Sequence, residues 1–131
     1  MPTVISESAG GYTGTSGGSA PASFAVVRVP FPFTDRMATK NRPALVLSDA
    51  ARFNVPTGQS VLAMITSAGN PPRPLDCEIR DREAAGLPAP SKLRMKLFTL
   101  DNRLLRGTLG HLAEPDERRV REALMLLLPA G

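Results

Sequence analysis

The sequence predicts a mainly β domain, a small and strongly curved barrel that is followed by one C-terminal helix. Short β-type runs separated by turn residues recur along the chain, which is typical of small barrels. Apolar and charged residues alternate over 75–80 and 92–98, as they do in half-buried strands. An apolar stripe at helical spacing lies near the end of the chain. With 131 residues, 42% of them apolar, the chain is long enough for one domain with its own core.

Two apolar β-type runs, 26–29 and 43–47, predict a hairpin around the polar loop 34–41. Prolines after the first run supply no backbone N–H and so end or edge that strand, and a proline opens the second strand. Arg42 then lies where the loop re-enters the sheet. Long polar loops on small β domains are more often functional than structural, so this loop and Arg42 are the first candidates for a site.

Three further strands are predicted at 60–66, 75–80 and 92–98, and a last short strand or turn lies within 104–112. The segment 49–59 between the hairpin and the next strand is predicted to be a loop with a turn. Alternation places Leu93, Met95 and Leu97 inward, and it places Lys92, Arg94 and Lys96 outward, as a basic stripe on the sheet.

The terminal helix is expected to start at Pro115, in the first turn. Its apolar stripe consists of Val120, Ala123, Leu124 and Leu127. Three more apolar side chains, Met125, Leu126 and Leu128, widen the stripe beyond what one barrel face needs. A dimer contact is therefore expected there.

The first 23 residues are rich in Gly, Ser and Thr, and we expect a disordered tail before a domain at 24–131. This segment has no basic stretch followed by an apolar one, so it is not a secretory signal. The longest apolar run, 123–128, is too short to span a bilayer. A single cysteine, Cys77, excludes an internal disulfide, and a cytoplasmic protein is expected.

The formal net charge of +4 favours a polyanion such as nucleic acid, or an acidic protein partner, although a basic solvated surface explains it equally well. The one histidine, His111, is expected to be structural or exposed, which leaves no histidine pair for acid–base catalysis. A metal site at Asp76, Glu78 and Asp81 is a further hypothesis, against the more common reading of a solvated strand face.

A metal-free reaction is the other chemical reading of these residues. If strands 43–48 and 60–66 are neighbours, Lys40 and Arg42 approach the hydroxyls of Thr66 and Ser67. An arginine beside a hydroxyl can hold a phosphodiester and stabilise charge in its transition state. RNA supplies its own nucleophile, the 2′-OH. Arginine and threonine at strand ends are nevertheless common and usually solvated.

Four segments resemble the MazF/PemK-like toxins of type II toxin–antitoxin systems, in the same order along the chain. They read VVRVPFPFTD at 26–35, KNRPALVLSDAARFN at 40–54, AMITS at 63–67 and GLPAPSKLRMKLFTLDNRL at 86–104. The resemblance covers about residues 26–128 and implies an SH3-like, CcdB/MazF/PemK-type small barrel, a homodimer, a cognate antitoxin and an endoribonuclease that cleaves single-stranded RNA without metal or other cofactor.

By that resemblance Arg42, in the R-P-x-L-V motif, and Thr66 are catalytic, while Lys40 and Ser67 contact substrate. Lys92 and Arg94, from the basic stripe, are added as substrate-binding candidates. The family usually has Gly-Asp immediately before the first valine run, where this chain has Phe24-Ala25. A non-catalytic protein of the same fold, either a CcdB-like gyrase-directed toxin or a degenerate antitoxin-binding member, therefore stays as the alternative function.

Overall fold

Six strands form one curled antiparallel sheet in the computed structural model, which describes residues 20–31 and 40–130. In chain order the strands are β1 (Ala25–Phe31), β2 (Lys40–Val46), β3 (Gln59–Ser67), β4 (Cys77–Ile79), β5 (Ser91–Asp101) and β6 (Thr108–His111). The sheet order is β4-β5-β3-β2-β1-β6. Helices are α1 (Val55–Thr57), α2 (Arg82–Ala85) and α3 (Glu114–Leu127). The predicted mainly β class with a C-terminal helix is confirmed.

The predicted hairpin is β1 and β2, and both strands are longer than predicted. β1 continues through Pro30, which lies opposite Asn41. The N–H of Arg28 points toward the β6 side of β1 and donates to the carbonyl of Gly107. The nitrogen of Pro30, two residues later, points to the same side, at a place beyond the end of β6. A missing donor there removes no ladder hydrogen bond. Because β2 begins at Lys40, Arg42 lies within a strand and not at a loop edge.

Most of the predicted loop 34–41 and most of the predicted tail 1–23 lie outside the described residues. The described end of the tail contacts the sheet region. The carbonyl of Pro21 accepts a hydrogen bond from Asn54 Nδ2 at 3.0 Å, and the hydroxyl of Ser23 donates to the carbonyl of Ser48 at 3.0 Å. Residues 20–23 therefore pack against the domain.

The sheet has an apolar cluster on each face, so its central strands are buried on both sides. One cluster includes Val26 and Leu45 and lies under α3, which contributes Val120 and Ala123. The other cluster includes the adjacent residue Val27. Neighbouring residues of one strand thus reach different cores, which is why the first two strands read as continuous apolar runs.

The segment 49–59, predicted as a loop, is helical. A π-helical turn spans Ala50–Asn54 and continues into α1, which ends at Gly58 with a φ of 74°. The side chain of Asp49 accepts a hydrogen bond from the N–H of Arg52, and it thereby caps the first turn. The prediction was wrong because the turn residues at its end close a helix, as Gly does in the left-handed conformation.

The terminal helix α3 begins at Glu114, one residue before the predicted start. Val120 and Ala123 are buried, whereas Met125, Leu126 and Leu128 are 78%, 73% and 66% exposed. The predicted apolar stripe is therefore confirmed for Val120 and Ala123, whereas the three side chains that widen it, Met125, Leu126 and Leu128, are exposed. Within the described ranges, none of the helices has the length and apolar character needed to cross a membrane.

Phe24, where the resemblance leads us to expect glycine, has a left-handed backbone with a φ of 63°. Its N–H donates to the carbonyl of Val46 at 2.7 Å, and its carbonyl accepts from the N–H of Leu112 at 3.1 Å. The ring is buried, and the guanidinium of Arg121 lies 4.7 Å from its centroid. Glycine adopts this φ without the clash of a Cβ, so the position suits glycine and phenylalanine is strained there.

This strain predicts an order of stability between two variants of residue 24. Phe24→Gly and Phe24→Ala both remove the buried ring, but only alanine keeps a Cβ at a positive φ. We expect the glycine variant to be more stable than the alanine variant by about 1 kcal/mol in urea unfolding. If alanine is the more stable of the two, the backbone at this position is not strained.

Candidate functional site

Arg42 and Thr66 come from neighbouring strands and lie two residues beyond the last pair of the ladder that joins those strands. The ladder between β2 and β3 pairs Ala44 with Met64. Continuing that register by two residues places Arg42 opposite Thr66, and residues directly opposite share one face of a sheet. The hypothesis that the second and third strands are neighbours is confirmed, and it brings the two predicted catalytic side chains together.

Two adjoining pockets share Arg42, Ile65 and Thr66 in their walls. The larger pocket has a volume of about 450 Å³ and the smaller one about 270 Å³. The larger also contains Arg28, Asn41, Ser67, Asn70, Leu87, Pro88, Pro90, Ser91 and Leu109. The smaller also contains Phe31, Met64, Arg73, Arg94, Lys96, Leu97 and Phe98. Arg42 and Thr66 therefore occupy the boundary between the two pockets.

The described residues that line these pockets include basic side chains and no acidic one. Arg28 belongs to the larger pocket, Arg73 and Lys96 belong to the smaller, and Arg42 belongs to both. Such a positive lining attracts anions, and a concave wall strengthens the local potential. The site fits a polyanion whose backbone passes from one pocket to the other.

Arg42 is exposed, and its guanidinium stacks on an aromatic ring. Its Cζ atom lies 4.8 Å from the centroid of Phe31, which is within the range of a cation–π contact. Phe31 is on β1 opposite Lys40, so it is a diagonal neighbour of Arg42 on the same face. This contact orients the guanidinium while its N–H groups stay available to a ligand.

Thr66 is half-buried, and its hydroxyl has a partner. The amide Nδ2 of Asn70 donates a hydrogen bond to Thr66 Oγ1 at 2.5 Å. Ser67 follows in the larger pocket, where its Oγ accepts from the N–H of Gly69 at 3.3 Å. The two hydroxyls singled out in the sequence are thus both at the site, and Asn70 contacts that of Thr66.

Lys92 and Arg94, predicted to face outward, bind an internal carboxylate. Arg94 donates to Asp76 through Nε at 3.2 Å and Nη2 at 2.9 Å, and Lys92 Nζ lies 3.5 Å from Asp76 Oδ2. All three side chains are 10–12% exposed. The predicted basic stripe is therefore wrong for Lys92 and Arg94, because the segment that carries Asp76 covers that face of β5.

The hydrogen bonds from Arg94 lower the pKa of Asp76 from 3.8 to about 2, more than burial raises it. The backbone N–H of Arg73 and the charge of Lys92 act in the same direction as Arg94. The carboxylate is therefore charged at neutral pH. Arg94 still lines the smaller pocket, whereas Lys92 lines neither pocket.

The remaining basic candidate, Lys40, is exposed at the first residue of β2 and lies outside the lining of both pockets.

Four residues of the site were not predicted from the sequence: Arg28, Phe31, Asn70 and Arg73. Arg28 carries a usable signal, since it is the one charged residue in an otherwise apolar strand and must face away from its valine neighbours. Leu97, which was also predicted to face inward, is paired with Ala63 but is 41% exposed, next to an irregularity in the pairing of β3 with β5.

The carboxylates of the metal hypothesis are occupied separately. Asp76 binds Arg94, Glu78 lies 3.3 Å from Arg80, and Asp81 caps α2 through the N–H of Ala84. Within residues 20–31 and 40–130, His, Cys, Asp and Glu side chains form no group of three that could hold a metal ion. These geometries give the metal hypothesis no support.

His111 is exposed at the end of β6, as the sequence analysis expects. Its Nδ1 and Nε2 atoms lie 2.9 Å and 3.0 Å from the carbonyl oxygens of Leu112 and Ser23. The imidazole therefore links the last strand to the segment before β1. Cys77 is buried, and burial raises the pKa of its thiol, so it is not an activated nucleophile.

The fold described above is similar to the folds of several solved protein structures. The structure is similar to MazF from Deinococcus radiodurans, with a TM-score of 0.63 and 27% identity over 82% of this chain and 96% of that one. It is also similar to the same organism's MazE–MazF complex, with a TM-score of 0.65 and 24% identity over 86% of this chain and 98% of that one. A mycobacterial endoribonuclease in complex with its cognate antitoxin gives a TM-score of 0.62 and 22% identity, over 86% and 98% of the two chains.

A comparison with curated protein sequences gives no match. The model of one protein family, described as the PemK-like, MazF-like toxin of type II toxin–antitoxin systems, matches residues 22–128. That range contains the whole sheet, the terminal helix and both pockets. The resemblance identified from four sequence segments is thereby confirmed, and the chain belongs to the family of PemK-like, MazF-like toxins of type II toxin–antitoxin systems.

Proposed function

We propose that this protein is an endoribonuclease that cleaves single-stranded RNA without a metal ion, as the toxin of a type II toxin–antitoxin system. The observation that carries the proposal is that Arg42 and Thr66, from neighbouring strands, both line the boundary of two positively lined pockets. Membership of the toxin family supports it, as does the likeness to a structure described as an endoribonuclease with its antitoxin.

The scissile phosphate would lie at the boundary between the pockets, within reach of both side chains. The ribose 2′-OH loses its proton to water and attacks phosphorus, the bond from phosphorus to the 5′ oxygen breaks, and that oxygen takes up a proton from water. The products are a 2′,3′-cyclic phosphate and a 5′-OH. Arg42 donates to the equatorial oxygens and offsets the charge that grows on them. The hydroxyl of Thr66 orients the phosphate for in-line attack.

The nucleotides on either side of that phosphate would occupy the two pockets. The larger pocket offers the apolar surfaces of Leu87 and Leu109 to a base, together with the polar groups of Asn41 and Ser67. In the smaller pocket Arg73 and Lys96 suit the following phosphates. A base can enter a pocket only when it is unpaired and unstacked, so single strands are the expected substrate. Lys40 lies near enough along β2 to contact RNA beyond the site.

The remaining parts of the proposal concern partners and location. An acidic antitoxin segment suits the positive lining of the pockets and would compete with RNA for it. The exposed side chains of Met125, Leu126 and Leu128, at the C-terminal end of α3, suit a homodimer contact, since a group of exposed apolar side chains usually marks an interface. A protein that acts on cellular RNA works in the cytoplasm.

Cleavage of a long single-stranded RNA by the purified protein in excess EDTA tests the proposal. We expect cuts at few positions, with 5′-OH ends and 2′,3′-cyclic or 3′-phosphate ends, and no cuts in the same sequence annealed to its complement. Cleavage that requires added Mg²⁺ would support the metal hypothesis instead. A folded protein that binds RNA or an antitoxin and cuts nothing would support a binding protein of the same fold.

A further inference from the structure

Asn70 is bonded to the hydroxyl that the proposed reaction uses. Its side-chain Nδ2 donates to Thr66 Oγ1 at 2.5 Å, and both residues line the larger pocket. Asn70 lies four residues after Thr66, in the segment that leaves β3, and its side chain is exposed on the pocket side. It therefore stands next to the site without taking part in the sheet.

The polarity of this hydrogen bond fixes what the Thr66 hydroxyl can do. A hydroxyl has one hydrogen to donate and two lone pairs that accept. The amide nitrogen of Asn70 only donates, so Thr66 Oγ1 accepts from it and keeps its own hydrogen for another partner. A phosphate oxygen only accepts hydrogen bonds. The contact with Asn70 thus leaves Thr66 in the state that a phosphate requires.

The backbone of Asn70 is held independently of this contact. Its N–H donates to the carbonyl of Ser67 at 3.1 Å, and its carbonyl accepts from Lys92 Nζ at 2.6 Å. The next residue, Pro71, accepts from Arg94 Nη2 at 2.7 Å through its carbonyl. Because Lys92 and Arg94 are both fixed by Asp76, the segment that carries Asn70 is anchored to β5 at two successive residues.

We propose that Asn70 is a positioning residue that orients the Thr66 hydroxyl to donate to a phosphate oxygen in the transition state. The inference rests on the proposed function and deepens it. It also gives Lys92 and Arg94 an indirect role in the site. They hold the segment from which Asn70 reaches Thr66, and they do not themselves need to contact RNA.

Four variants test this role in RNA cleavage under single-turnover conditions. Asn70→Ala removes the donor, and we expect the maximal cleavage rate to fall about tenfold while the protein concentration at half-maximal rate changes less than about twofold. Asn70→Asp keeps the shape and replaces the donor with an acceptor. The Thr66 hydroxyl should then donate its hydrogen to residue 70 instead of to a phosphate oxygen. The Asn70→Asp variant should therefore be at least as slow as Asn70→Ala. Gln59→Ala, at the far end of β3, is the control and should cleave at the wild-type rate.

The fourth variant, Thr66→Val, shows whether Asn70 acts through the hydroxyl. In that background Asn70→Ala should have no further effect on the maximal rate, and Asn70→Asp should show only the effect of its added charge on RNA binding. A full effect of Asn70→Ala in the Thr66→Val background would overturn the inference, because a role in loop stability alone is independent of the hydroxyl. Cleavage by Asn70→Asp at the wild-type rate would overturn it too.

These outcomes are separable from failure of the proposed function. If the wild-type protein is folded and cleaves no RNA, the proposed function fails, and the inference fails with it. If the wild-type protein cleaves and Thr66→Val is slow, but Asn70→Ala is unchanged, only the inference fails. Thermal unfolding of each variant shows whether a slow rate reflects loss of fold.

Discussion

Replacing Arg42 with alanine is expected to lower the rate of RNA cleavage by about 10²- to 10³-fold and to leave the fold intact. The side chain is exposed, and its described contact is with the ring of Phe31, so its removal opens no cavity in either core. The loss falls on catalysis because a preorganised donor offsets charge that develops only in the transition state. The measurement is the single-turnover rate in EDTA, with circular dichroism as the check on folding.

Arg42→Lys separates charge from geometry at the same position. Lysine keeps the positive charge but has no planar fork for two oxygens, and it stacks less well on Phe31. We expect its rate to be about tenfold below wild type, between those of the wild type and the alanine variant. A lysine variant as slow as the alanine variant would mean that the fork itself is required.

Arg52→Ala is the matched control for Arg42→Ala. Arg52 is exposed on the π-helical turn and lies outside both pockets, and its replacement removes the same unit of charge. We expect its rate to stay within about twofold of wild type, because a single distant surface charge contributes little once salt screens it. Equal losses in the two alanine variants would show that net charge, and not the position of Arg42, sets the rate.

The sheet was predictable because its side chains show their burial in the sequence. The valines of β1 reach one core or the other, and the charged residue of β4, Glu78, lies between the buried Cys77 and Ile79. The neighbouring placement of Arg42 and Thr66 was predictable for a related reason. Each lies at the end of an apolar run, and adjacent antiparallel strands bring such ends together.

The helical segment before β3 was not predictable, because distant residues stabilise it. Asn54 is fully buried, and its side chain donates to the carbonyls of Pro21 and Ser48. Its own carbonyl accepts from Asn102 Nδ2, 48 residues along the chain. Buried polar groups need partners, but the sequence does not show which residue supplies each partner.

The orientation of Lys92 and Arg94 was missed for the same reason. Alternation on β5 identifies the face on which a side chain lies, but it does not show what covers that face. Asp76, on the segment before β4, covers it and pairs with both cations. From the sequence, the same carboxylate was interpreted as part of a solvated or metal-binding face. Its neighbours Glu78 and Arg80 are exposed, whereas Asp76 itself is nearly buried.

Asp76→Asn is expected to destabilise the fold by about 2–3 kcal/mol. The amide keeps the shape of the carboxylate but loses the charge, so Lys92 and Arg94 remain in a poorly hydrated site without a counter-ion. Removal of one member of a buried ion pair is costly for this reason. Glu78→Gln is the matched control, two residues away. Its partner Arg80 and Glu78 itself are about two-thirds exposed, so we expect a loss below about 1 kcal/mol.

The pH dependence of unfolding gives this prediction a second readout. The pKa of Asp76 is about 2 in the folded protein, against an ordinary value of 3.8 for the unfolded chain. The carboxylate therefore stabilises the fold fully at a pH above 3.8, and it loses that contribution as the pH falls towards about 2. The difference in stability between wild type and Asp76→Asn should therefore be constant near neutral pH and shrink below about pH 4. A difference that persists unchanged at about pH 2 would mean that shape, and not charge, makes Asp76 stabilising. Because Asp76 also holds the segment of Asn70, the cleavage rate of Asp76→Asn should fall under conditions where the variant is still fully folded.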